Sequence, residues 1–134
     1  MKKILSFFIL IAISVSLMAC GNNAYDDLSK KEKKFFDAFV EAAFNYFYNP
    51  SEARIQQVAK YRELDSGKVA SYVKVQGTNR LGGTTSNWYF LSYSDSMNSY
   101  CLNEPYSTPD ASDGDLSVSK LNLALAEHWE SLGF

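Results

Sequence analysis

Two cysteines and a single histidine carry the most reactive side chains of this 134-residue chain. Cys101 and His128 are a formal nucleophile–base pair, since a thiolate attacks while an imidazole takes the proton. Such a pair also needs a group to orient the base and donors for a developing oxyanion. No local cysteine-hydrolase signature surrounds either residue. His128 stands between Glu127 and Trp129 near the expected end of a helix, where the dipole favours a protonatable ring without any catalysis. Structural roles are the favoured reading for both. Asp110, Asp113 and Asp115 gather around Gly114 as in a calcium loop. With Gly114 at the sixth position, however, Pro109 and Ala111 would have to supply side-chain oxygen, so a solvated loop is expected and no metal site. Gly82-Gly83-Thr84 lacks the lysine and the following helix of a phosphate-binding loop and reads as a hairpin turn. No cofactor motif is present.

Cys20 has a different chemistry in view. Lys2 and Lys3 precede an apolar run from Ile4 to Leu17, interrupted only by Ser6, Ser14 and Ser16. This is the charged, apolar, small-residue order of a secretory signal, and it is shorter than the roughly 20 apolar residues a membrane span needs. Leu17-Met18-Ala19-Cys20 resembles the lipobox of bacterial lipoproteins. The resemblance implies diacylglycerol on the Cys20 thiol, cleavage before Cys20 and a mature chain held at the cell membrane on its extracytoplasmic side. Buried acyl carbons contribute about 0.8 kcal/mol each, so two chains hold where one only visits. Ordinary signal cleavage or an uncleaved anchor helix are the competing readings.

Removing residues 1–19 leaves 115, the size of one domain. That part has 11 Lys and Arg against 15 Asp and Glu, a net charge of −4. Nucleic-acid binding wants a basic surface, so nucleic acid is not an expected partner. With Cys20 acylated, Cys101 has no disulfide partner within the chain and is expected to be buried.

The elements that must position these residues follow in order. Residues 20–27 read as a polar linker, and a single α+β domain is expected over 28–134. Ser29-Lys30-Lys31-Glu32 is a capping box that starts a helix. In that helix Phe35, Phe36, Phe39, Ala43 and their neighbours cover half the circumference or more, an arc wide enough for burial against several elements. Asn49-Pro50-Ser51 breaks it, and Pro50 suits the first turn of a second helix over 50–62, with Ala53, Ile55, Val58, Ala59 and Tyr61 on its apolar face. From Lys68 the period becomes two, with Val69, Val73 and Val75 on one face. A second strand over 85–93 completes a hairpin through a loop at 77–84, with a short third strand over 98–102 and a loop over 103–114. Asp115 or Ser117 caps a last helix in which Val118, Leu121, Leu125, Trp129 and Leu132 share a face. The expected fold is thus two N-terminal helices and a C-terminal helix on a small antiparallel sheet. Asn49-Pro50-Ser51, Tyr72-Val73-Lys74-Val75 and Gly82-Gly83-Thr84-Thr85 together resemble small uncharacterised exported lipoproteins of Gram-positive bacteria. That resemblance covers about 35–93 and implies no activity.

Two surfaces are candidates for binding. Lys30, Lys31, Lys33 and Lys34 follow the anchor closely, and basic residues near anionic lipid gain about 1 kcal/mol each. The competing reading is a solvated helix face. In the hairpin, pairing Val73 with Trp88 sets Tyr72 opposite Tyr89, so that Trp88 and Phe90 are core while Tyr72, Tyr89 and Tyr93 form an outer stripe. Tyrosine suits a half-wet contact. The competing reading has another element, such as the last helix, covering that face. Taken together, these features favour a lipid-anchored extracytoplasmic binding or interaction protein with an unknown protein or glycan ligand and no identifiable catalysis. The alternatives are a small envelope enzyme using Cys101 or a carboxylate, or a phage-type accessory lipoprotein. Cys20→Ala is expected to move the chain out of the membrane pellet, and unchanged retention after a carbonate wash would refute the anchor.

Overall fold

The computed structural model describes residues 23–110, 112 and 114–134. The signal segment, Cys20 and Asp113 lie outside the described residues. The chain forms helix α1 (Lys30–Tyr46), a 3-10 turn (Pro50–Glu52), strands β1 (Arg54–Glu63), β2 (Val69–Thr78), β3 (Thr84–Ser94) and β4 (Ser99–Asn103), and helix α2 (Val118–Ser131). The strands make an antiparallel meander in the order β1-β2-β3-β4. Phe35, Phe39, Leu121 and Leu125 of the helices share one buried cluster with Val58, Val73, Val75, Leu91 and Leu102 of the sheet. Both helices therefore lie on the same side of it.

The capping box is formed. Ser29 Oγ accepts from the Glu32 N–H at 3.2 Å, and Glu32 Oε2 accepts from the Ser29 N–H at 2.8 Å. The other carboxylate oxygen, Oε1, accepts from the N–H of Ser117, the residue that starts α2, at 3.0 Å. Ser117 itself supplies no side-chain cap. One buried carboxylate thus serves the N-termini of both helices, where negative charge is favoured by both dipoles. Burial alone would raise the pKa of Glu32, but the N–H donors of Ser29 and Ser117 outweigh it and hold the group below its ordinary value.

The expected second N-terminal helix is not formed: only Pro50–Glu52 turns, and 54–63 is a strand. The reason lies in its register. Against β2, the pairing of β1 slips between Ile55 and Gln57 and again between Val58 and Lys60. Two bulges in five residues replace strict alternation by burial of Ile55, Val58 and Ala59, spaced i, i+3, i+4, which is the spacing of a helix face. The sheet gains a strand by it, and β4 supplies the fourth.

β1 and β4 are edge strands, and their open sides are guarded. Asn122 of α2 mimics a neighbouring strand at Ile55: its Oδ1 accepts from Ile55 N–H at 2.8 Å and its Nδ2 donates to Ile55 O at 2.7 Å. At the second bulge the Gly114 N–H donates to Val58 O. On β4 the Tyr100 N–H donates to Glu41 of α1 at 2.9 Å. Unpaired edges invite association with other chains, and these bonds close them. Gly114 has no room for a side chain, since a Cβ there would stand 2.8 Å from Val58 O.

The hairpin register also departs from expectation. Val73 pairs with Tyr89, Tyr72 with Phe90 and Lys74 with Trp88. Tyr89 and Leu91 are therefore on the helix side and buried, whereas Trp88 and Phe90 are on the far side and half-buried. The rings that follow α1 select this register. Tyr46 and Phe47 meet the Tyr89 ring edge-on at centroid distances of 5.1 and 5.7 Å, filling the end of the core. Residues 23–28, expected to be slack chain, are turns. Ala24 and Leu28 are buried, and the Ala24 N–H donates to Glu127 of α2 at 2.9 Å.

Tyr89→Ala is expected to cost about 3–5 kcal/mol in denaturant melts, as for other large core truncations, with Trp88→Ala clearly milder. The reverse order would contradict the register. Glu32→Gln is expected to cost about 1–3 kcal/mol at neutral pH by leaving a donor facing a donor. Because the folded pKa of Glu32 is depressed, its contribution is complete above the ordinary value of 4.5 and is lost as pH falls through the lower native value. A plot of unfolding free energy against pH should accordingly be shallower on its acid side for the variant than for the wild type.

Candidate surface on the far face of the sheet

Alternation from the buried valines fixes what the far face carries. Ala70, Tyr72 and Lys74 of β2 lie beside Ser92, Phe90 and Trp88 of β3, with Arg62 and Lys60 across β1 and Cys101 and Asn103 across β4. Tyr72 and Phe90 touch at a centroid distance of 5.1 Å with their planes tilted by 41°. Trp88 extends the aromatic row, and Lys60, Arg62 and Lys74 flank it. Aromatic rings with flanking cations are the composition of contact sites, because rings bring area at little entropic cost and cations bring directed hydrogen bonds.

Neither helix covers this face. The chain leaves β4 at Asn103, opposite Phe90, and Pro105 and Tyr106 line a groove of about 540 Å³ with Tyr72 and Phe90. It then meets Lys60, whose Nζ is 3.6 Å from Asp110, and regains the β1 edge at the Gly114–Val58 bond. The segment 104–114 thus straps the far face from one edge to the other. A second groove of about 370 Å³ runs from Tyr72 and Phe90 towards Lys60, Arg62 and Leu64.

The residues singled out from the sequence are dispersed. Of the tyrosine stripe only Tyr72 belongs to this face. Tyr89 is core, and Tyr93 stands on the helix side of β3, half-exposed, its ring edge-on to Tyr100 at 5.2 Å and its hydroxyl donating to Asn98 at 2.6 Å. Trp88 and Phe90, expected inside, take the place of the other two. Of the four lysines, Lys31 pairs with Asp115 at 3.2 Å and Lys34 with Glu63 at 3.1 Å, while Lys33 lies 5.3 Å from the Tyr25 ring centroid. Lys30 is exposed. Cys101 is half-buried rather than core, because it alternates with Leu102 and so falls on the far face, its Sγ 3.6 Å from the Met97 sulfur. His128 packs on Phe36 and Trp129 in the helix layer, so the sheet separates it from the thiol.

Asp110 and Asp115 are engaged by Lys60 and Lys31. Among the described residues no three acidic, thiol or imidazole groups converge closely enough to ligate a metal ion. Gly82 and Gly83 close the hairpin, with Gly82 at φ 82° and Asn79 Oδ1 accepting from the Leu81 and Gly83 amides. No helix among the described residues is long and apolar enough to cross a membrane. The residues that sequence reasoning missed, Trp88 and Phe90, share period two with Tyr72, but both faces of Trp88-Tyr89-Phe90-Leu91 are apolar and only the pairing register separates them. Comparison with protein-family models, with curated proteins and with solved structures finds no match for this chain.

Proposed function

We propose that this chain is a lipid-anchored extracytoplasmic binding protein that engages a surface protein or glycan through the far face of its sheet. The observation that carries the reading is the row Tyr72, Phe90 and Trp88, left half-exposed by both helices and flanked by Lys60, Arg62 and Lys74. A sheet face serving the fold alone would be expected to turn polar side chains to water. This one instead keeps large rings beside two grooves, on a domain whose own net charge is negative. The cations favour a partner that presents anionic groups next to apolar surface. The signal and lipobox pattern in the sequence supports the location.

Photocrosslinking of the full anchored chain in its own cells tests the reading. A photoreactive side chain in place of Trp88 is expected to yield a discrete adduct, while the same group in place of Leu123, exposed on α2, yields none. Phe90→Ala should then reduce adduct formation through Trp88 by roughly thirtyfold, the effect of losing an anchor worth about 2 kcal/mol. Equal adducts from both faces, or none from positions 72, 88 and 90, would refute the proposal.

A further inference from the structure

A second site lies in the helix layer, on the opposite side of the molecule from the sheet face. α1, α2 and the N-terminal turn enclose a groove of about 710 Å³ whose wall includes the rings of Tyr25, Phe36 and His128. Tyr25 and His128 each meet Phe36 edge-on, at centroid distances of 5.4 and 5.9 Å. Asp37, Glu41 and Glu127 line the same groove. Each of these carboxylates accepts a neutral hydrogen bond, from Tyr25 Oη, the Tyr100 N–H and the Ala24 N–H respectively. Every ion pair found among the described residues uses other acids.

We propose that this groove binds a small free organic ammonium compound of the choline type. Three carboxylates share one apolar concavity without a salt-bridge partner among the described residues, so a cation is the complementary guest. The carboxylates do not converge on a point as metal ligands must. A bulky ammonium with apolar substituents needs no such convergence: its charge is spread, its methyl groups suit an apolar wall, and aromatic rings attract it through their faces. Tyr25 already shows this chemistry within the chain, taking the Lys33 ammonium at 5.3 Å. His128 Nε2 is shielded from solvent and has no hydrogen-bond partner among the described residues, which leaves one polar atom in this wall for a guest hydroxyl.

Isothermal titration of the full chain in a non-ionic detergent, at low salt, tests this with tetramethylammonium and choline as probes and sodium as the control ion. Both organic cations are expected to bind with millimolar or better affinity and sodium is not. The triple variant Asp37→Asn, Glu41→Gln, Glu127→Gln keeps an oxygen acceptor for each of the three internal donors while removing the charge. It is expected to melt near the wild-type temperature and to bind at least about tenfold more weakly, with Tyr25→Leu weakening binding independently. Wild-type affinity in the folded triple variant, no heat with tetramethylammonium up to 50-fold above about 1 mM, or binding seen only to phosphatidylcholine vesicles would each overturn the proposal.

Discussion

The fold depends on one carboxylate. Glu32 is remote in sequence from Ser117, yet its two oxygens take the first amide of α1 and the first amide of α2, so the starts of both helices are fixed to the same point. A helix start leaves several N–H groups without internal partners, and burying two such starts side by side would be costly without an acceptor between them. A carboxylate suits the position better than a neutral group because both dipoles present their positive ends to it. With that point fixed, α1 and α2 spread over the inner face of the sheet, and the aromatic side chains of α1 can reach across to Trp129 at its far end, where Phe44 meets the indole edge-on at 5.1 Å.

The sheet is wrapped rather than simply layered. Helices press on one face, the 104–114 strap crosses the other, and the strap is tied at β1 by the same region that carries Asn122 to Ile55. β1 is the strand most in need of this. Its bulges interrupt the ladder, and without Asn122 and Gly114 the amide of Ile55 and the carbonyl of Val58 would lack these partners. The loop that defines the candidate sheet surface is thus also part of what completes the edge strand, which couples the shape of the grooves to the integrity of the fold.

Much of this was legible in the sequence, and the failures have definite causes. Ser29 and Glu32 declared the start of α1, Val69, Val73 and Val75 declared the inner face, and Leu121, Leu125 and Trp129 declared the buried side of α2, because each signal is local and periodic. β1 was read as a helix because its two bulges place Ile55, Val58 and Ala59 at helical spacing, and because Gln, Lys, Arg and Ala are good helix formers that the sheet overrode. The choice between Trp88 and Tyr89 could not be local, since β3 is apolar on both sides. It was made by Tyr46 and Phe47, more than forty residues earlier, which offer Tyr89 edge contacts that Trp88 does not have in this register. The interhelical groove was equally invisible: Tyr25, Asp37 and Glu127 come together only after three segments are packed.

The docked N-terminal turn has a mechanical meaning. Ordered chain begins no later than Ala24, whose amide is held by Glu127, so with the lipid on Cys20 as proposed only Gly21 and Asn22 separate the acylated residue from Asn23. Even fully stretched, that leash reaches no more than about 11 Å. The domain then rides against the bilayer with a restricted tilt, and a tug on the acyl chains is delivered to the seam between the two helices before any slack is taken up. A partner gripping the sheet would pull from the opposite side, loading the molecule across its thickness as a short, stiff coupler.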